Sequence, residues 1–383
     1  MTPENFDITL SDSQGTDVEP VSPKRFDLTA YHDYEASLLE QNDKFWRVKS
    51  GIAVYRRFRV PQVFSSGCRD MKKSLAWQLG ALQKSMSYKM DIANFLEPWY
   101  GIGTIASAFG IEYEWKPGQA PAFRPRFKSV DEALEQELLP IEETSIGEQT
   151  LEMIHYFLDQ TKGQIPLSPT DTQASLNAVS FLIDTHHFFL EFVMNPEGLK
   201  ELLNKLTDLT IEFTKTQLEL IGNAAVLPGH GFASSRTFSG LGVSSDVICM
   251  ISPSDYQAFE APHIQKIGKA FGGAVFHSCG QWASKIDGVK AIPNLIMIDA
   301  AFSKQTDPDP NPCAPFRDGF KKTGIVINAR IVGDSTTVLD KVKQLWDRDT
   351  KLIVVTYCRT AEEQRRVYDA VHRLAEEKQA NCM

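Results

Sequence analysis

Apolar residues recur every three or four positions through Leu199, Leu202, Leu203, Leu206, Leu209 and Phe213. A stripe at this spacing predicts an amphipathic helix, and Gly222 is placed to end it. A second stripe, Leu75, Leu79, Leu82 and Met86, predicts a helix within Met71 to Met90. Gln173 to Met194 is apolar almost throughout and reads as one helix. Short strands are expected at Ile111 to Trp115, before the turn signal Lys116-Pro117-Gly118, and at Ile165 to Leu167 and Ala224 to Leu227. Phe26 to Leu139 as a whole reads as helical and irregular.

The last third alternates between the two periods. Val247 to Met250 leads into Ser252-Pro253-Ser254-Asp255, where a Ser N-cap, Pro at N1 and an acid at N3 start a helix. That helix is expected to run toward Phe271, with a kink or break at Pro262. Strands follow at Ala274 to Cys279, Leu295 to Ile298, Gly324 to Asn328 and Leu352 to Cys358. Helices are expected at Ser335 to Trp346 and Ala361 to Glu376, the latter opened by a Thr360/Glu363 capping box. Repeated strand-helix units imply a parallel sheet, closed as a barrel or open and doubly wound. No Gly-x-Gly-x-x-Gly follows a strand and no P-loop is present, so the nucleotide sites of the open sheet are missing. The α/β barrel is favoured.

Composition narrows the partners. The chain has 383 residues, 42% hydrophobic, enough for a large core and one barrel with an extension. Its net charge is −9 and no basic stripe occurs, which argues against nucleic acid. No apolar run approaches the ~20 residues that span a bilayer. Met1 to Lys24 is polar, acidic and punctuated by Pro3, Pro20 and Pro23, unlike a secretion signal. A mobile tail over residues 1–25 is expected, or an arm on a neighbouring subunit, and a cytoplasmic compartment that keeps thiols reduced. The six cysteines are then small hydrophobes, ligands or reactive thiols.

The stretch Val275-Phe276-His277-Ser278-Cys279-Gly280 carries the most chemistry. Residues i and i+2 of a strand point the same way, so His277 and Cys279 share a face at a strand's C-terminal end, where barrels keep their active sites. Cys358 ends a later strand, and the helix start at Thr360 favours a thiolate there. At ~30 residues or more per strand-helix-strand unit, two or so units fit between the cysteines. His277, Cys279 and Cys358 would form a three-ligand zinc set with one open position. The alternative is a satisfied core histidine beside core cysteines. His230, in Pro228-Gly229-His230-Gly231, is a candidate catalytic residue or a loop histidine. Asp246, in a loop after Gly242-Val243-Ser244-Ser245, would orient substrate or cap a turn. Asp299 is a candidate partner of the metal-bound imidazole. Asp307 and Asp309 are expected to be solvated, and His186-His187 structural. Cys68, Cys249, Cys313 and Cys382 lack ligand spacing.

At these residues the chain resembles the uroporphyrinogen decarboxylase superfamily. The block Met250-Ile251-Ser252-Pro253-Ser254-Asp255-Tyr256, then Pro262, then Phe276-His277-Ser278-Cys279-Gly280 carries most of the resemblance. Ala108 to Tyr113 with Pro117-Gly118 and Pro121, Gly333-Asp334 and Thr360 to Glu363 extend it. The resemblance implies a (β/α)8 barrel over residues 91–383, with a mostly helical extension over 26–90. The decarboxylases of the superfamily bind an acidic tetrapyrrole with an N-terminal arginine-rich motif, which Arg56, Arg57, Arg59 and Arg69 do not reproduce. The closer likeness is to the zinc methyltransferase branch, typified by methylcobamide:coenzyme M enzymes. It implies metal ligands at His277, Cys279 and Cys358, zinc and a corrinoid (cobalamin) as cofactors, and a thiol-like methyl acceptor. The corrinoid would arrive on a partner protein, since no Asp-x-His-x-x-Gly segment occurs. Homodimers are common in this superfamily. A metal-free decarboxylase and a non-catalytic corrinoid- or tetrapyrrole-binding protein remain the alternatives.

Overall fold

The computed structural model describes residues 15–380, with the side chains of 378–380 excepted. Residues 1–14 of the expected tail, and Cys382, lie outside the described residues. The rest of that tail is packed: Thr16 N donates to Arg59 O and Val21 N to Ala76 O, both at 2.8 Å.

The described residues hold six regular strands, all paired in parallel. They are β1 (Gly51–Arg56), β2 (Leu241–Ser244), β3 (Ala274–His277), β4 (Leu295–Ala301), β5 (Val326–Arg330) and β6 (Lys351–Thr356), in the order β1-β6-β5-β4-β3-β2. Helices cross between successive strands from β2 to β6, ending with Cys313–Phe320 and Ser335–Leu345. Between β1 and β2 the wall continues as irregular extended chain. Asp91 N donates to Val54 O at 2.8 Å, Leu96 bridges to Leu167, Leu167 to Ala225, and Gly242 N donates to Pro228 O at 3.0 Å. Pro98, Pro166, Pro169 and Pro228 fall in or beside these segments, and a proline has no N–H to give a ladder. The ring is thereby closed as an α/β barrel whose irregular quarter coincides with its prolines.

Several elements differ from the sequence reading. The expected helical extension does contain helices, Leu28–Arg47 and Met71–Ser85, but also β1. β1 pairs with β6 from Gly51↔Lys351 to Arg56↔Thr356, so the barrel begins before residue 91. Its partner lies 300 residues away, where local periodicity carries no signal. Ile111 to Trp115 forms only one bridge, Glu114 to Ala122. Val247–Met250 belongs to a 3-10 turn, and the strand precedes it as β2. The apolar run after Gln173 is two helices, Ser175–Leu182 and Thr185–Met194, because Asp184 caps the second by accepting from His186 N. The Ser252-capped helix breaks at Glu260 into Pro253–Phe259 and Ala261–Phe271. No helix among the described residues is long and apolar enough to cross a membrane.

Two apolar layers result from the alternation along the strands. Ala53, Tyr55, Val275, Met297, Val326, Ile353 and Val355 pack in a small inner cluster. Val54, Phe276, Ile298, Ile327, Leu352 and Val354 face outward and join the large core beneath the helices.

Candidate active site

The inner face continues past the apolar layer into polar residues at the C-terminal strand ends. His277 follows Val275 by two, Asp299 follows Met297, and Asn328 and Arg330 follow Val326. The parallel register sets Ser244, His277, Asp299 and Asn328 in one row across β2 to β5. Alternation picks the face and register picks the height, which is how residues from four strands meet.

Asp299 is the anchor of this row, 1% exposed. It accepts from His277 Nδ1 at 2.6 Å, from Arg330 Nε at 2.8 Å and from Asn328 Nδ2. Burial would raise its pKa, but Arg330, His277 and Asn328 hold the carboxyl down to about 2. Burial also opposes charge on His277, and the Cys279 sulfur and Asp299 outweigh it, pushing the ring up to about 10. With Nδ1 committed to Asp299, Nε2 faces Cys279 Sγ at 3.4 Å and Asp246 Oδ1 at 3.6 Å.

Cys279 sits just past β3 in a tightly held turn. Its N–H donates to Asp246 Oδ1 at 2.6 Å, and Gly280 N donates to Asp307 Oδ2 at 2.7 Å. Gly280 has φ +71°, and a Cβ there would lie 3.1 Å from Cys249 Sγ, so glycine suits both the backbone and the space. Asp307, expected in solvent, is instead 8% exposed. Its loop folds back over Gly280, which exchanges hydration for that backbone bond. Asp246, His277 and Cys279 each offer one ligand atom, all within 4.8 Å of one another, the one such group of His, Cys, Asp or Glu among the described residues.

Cys358 is not brought to them. It is 2% exposed and packs in the outer core, whereas its neighbour Tyr357 packs in the inner cluster. The alternation that turns Tyr357 inward turns Cys358 out. Burial pushes its thiol up to about 12, the opposite of the activated thiolate expected from the helix start. Its carbonyl accepts from buried Arg56 Nε at 2.8 Å.

His230 lines the same cleft as Asp246, His277 and Cys279. Its Nδ1 lies 2.6 Å from Glu97 Oε1, and its Nε2 3.5 Å from Asp171 Oδ2. Trp99 Nε1 and Gln173 Nε2 donate to Asp171 at 3.3 and 2.9 Å. Arg57, Arg59 and Arg330 add cationic walls. Sequence reasoning missed Glu97, Asp171, Arg57 and Arg330. For Arg330 a signal existed: Asn328 and Arg330 alternate within a strand whose five residues are all buried, and polar side chains on the inner face of a buried strand need partners.

A parallel barrel with titratable side chains gathered in a cleft at the strand C-termini is the architecture of the α/β-barrel enzymes. The chain belongs to the uroporphyrinogen decarboxylase family: the family model Uroporphyrinogen decarboxylase (URO-D) matches residues 49–349. Among solved structures it is similar to a methyltransferase from Methanosarcina mazei, with 13% identity, a TM-score of 0.55, and coverage of 95% of this chain and 97% of that one. At that identity the likeness is one of fold. The comparison with curated proteins finds no match.

Proposed function

We propose that the protein is a zinc-dependent methyltransferase that moves a methyl group between a corrinoid, carried on a partner protein, and a thiol acceptor. The observation that carries this reading is the convergence of His277 Nε2 and Cys279 Sγ, 3.4 Å apart, at the mouth of the barrel. The residues fit a metal. Asp299 fixes the His277 ring by Nδ1 and leaves Nε2 to ligate, the arrangement common behind metal-bound histidines. Cys279 is exposed to the cleft and held by its own backbone bond to Asp246. Bound zinc would lower the pKa of an acceptor thiol and keep it a nucleophilic thiolate. The corrinoid would supply the methyl group, whose carbon would pass to the acceptor sulfur while the electron pair of the bond it leaves would stay with the corrinoid.

The chain's own residues shape the rest. His230 and Asp171 line the cleft, with Glu97 Oε1 2.6 Å from His230 Nδ1, and would receive the thiol proton. The solved neighbour being a methyltransferase supports the class of reaction. Free cysteines at the site suit a reducing compartment such as the cytoplasm.

Zinc analysis of protein purified without chelators is the direct test, paired with an absorbance assay of methylcobalamin and a thiol. About one zinc per chain and thiol-dependent loss of the methylcobalamin spectrum are expected. Zinc below about a tenth of an equivalent would remove the basis of the reading. The arginines Arg57, Arg59 and Arg330 on the cleft favour one second reading, metal-free decarboxylation of an acidic substrate. It predicts activity that survives chelation, with release of CO2.

A further inference from the structure

The third protein ligand of the metal is open to a sharper statement, which rests on the reading above. We propose that Asp246, and not Cys358, completes the protein's ligand set with His277 and Cys279, giving a mixed nitrogen, sulfur and oxygen centre.

Three independent features converge on Asp246. The first is adjacency. Asp246 opens the turn just after β2, the direct neighbour of β3, and Ser245 N donates to His277 O at 2.8 Å, locking the two strand ends together. Cys358 follows β6, with β5 and β4 between it and β3. At ~4.8 Å per strand that is roughly 14 Å along the wall. The second is position. Asp246 Oδ1 lies 3.6 Å from His277 Nε2, within a trio of donor atoms no more than 4.8 Å apart. The third is facing. Asp246 lines the cleft with His277 and Cys279, whereas Cys358 is built into the core outside the barrel wall.

The substitution preserves charge. One carboxylate and one thiolate balance a divalent ion as two thiolates would, with neutral imidazole as the third donor. It changes softness. A carboxylate oxygen is harder and donates less electron density than a thiolate, so the metal is left more electron-poor. An incoming thiol is then acidified more strongly than it would be beside two thiolates.

X-ray absorption at the zinc edge counts the sulfur atoms, because Zn–S distances near 2.3 Å separate from Zn–N and Zn–O near 2.0–2.2 Å. The full-length protein loaded with zinc alone, without thiol, should show one sulfur. Asp246→Asn should weaken zinc binding by about 100-fold against a chromophoric chelator. Cys358→Ala should leave both zinc affinity and methyl transfer within about twofold of the parent. Because Cys358 is a core residue, Cys358→Ser and the melting profile of each variant separate misfolding from ligand loss. Two sulfurs in the parent would overturn the proposal while leaving zinc chemistry intact. So would loss of zinc from folded Cys358→Ala or Cys358→Ser. Absence of zinc from the parent would sink this assignment and the methyltransferase reading together.

Discussion

Asp299 shows how much of the site depends on one buried carboxylate. It holds the His277 ring, neutralises Arg330 and takes a bond from Asn328, all while 1% exposed. Asp299→Asn keeps its shape but removes its charge. If zinc binds as proposed, its affinity should fall about 10–100-fold, the usual effect of losing a carboxylate behind a ligating histidine. Stability should fall by about 3–5 kcal/mol, since the Arg330 guanidinium stays buried without its counter-charge. Chelator competition and urea midpoints read the two effects separately, and unchanged zinc affinity would refute the role. At this scale the sequence was partly legible. His277 and Cys279 were readable because strand alternation is local. Asp299 was readable because it closes an apolar run. The partners of Arg330 and Glu97 were not, because each partner stands on another strand or segment.

Elements carry the site through their ends and their close approaches. The helix Ala261–Phe271 lies on β3 so tightly that a Cβ on Gly268 would sit 2.5 Å from Ala274 N. Gly268→Ala should therefore cost about 2–3 kcal/mol by overpacking against backbone, despite alanine's better helix propensity. A denaturant midpoint equal to the parent's would contradict that packing. Just before this helix, Glu260 fills the break with a buried carboxyl that accepts from Ser245 Oγ at 2.5 Å and Leu176 N at 3.3 Å. Burial pushes it from 4.5 up to about 7. A carboxyl raised in the folded state stabilises the fold fully below about 4.5, and that contribution is lost as pH rises through about 7. Glu260→Gln, which keeps an acceptor for Ser245 and Leu176, should match the parent at pH 4. It should be more stable than the parent by up to about 3 kcal/mol at pH 8. Parallel stability profiles for the two proteins would show that Glu260 does not titrate this way.

The molecule as a whole is a ring closed by β1 against β6 and by irregular, proline-containing chain on its other flank. A closed wall shares its stability, so amides of Val54 and Tyr55 should resist hydrogen exchange as well as those of Ile353 and Val354. Exchange at β1 as fast as at a frayed terminus would mean that the ring is open there. The sequence by itself determined the helices with strong stripes, the caps at Ser252 and Thr360, the alternation of strand and helix after Met250, and the shared face of His277 and Cys279. All of these rest on interactions within one or two turns of chain. Tertiary structure alone decided that Gly51–Arg56 is a barrel strand, since its partner is 300 residues away. It alone decided that Asp307 is buried, that Asp246 rather than Cys358 stands beside the His277–Cys279 pair, and that Arg330 meets Asp299. The physical reason is the same in each case. Local periodicity fixes which face a side chain takes, but only the register between distant strands fixes which side chains stand next to it.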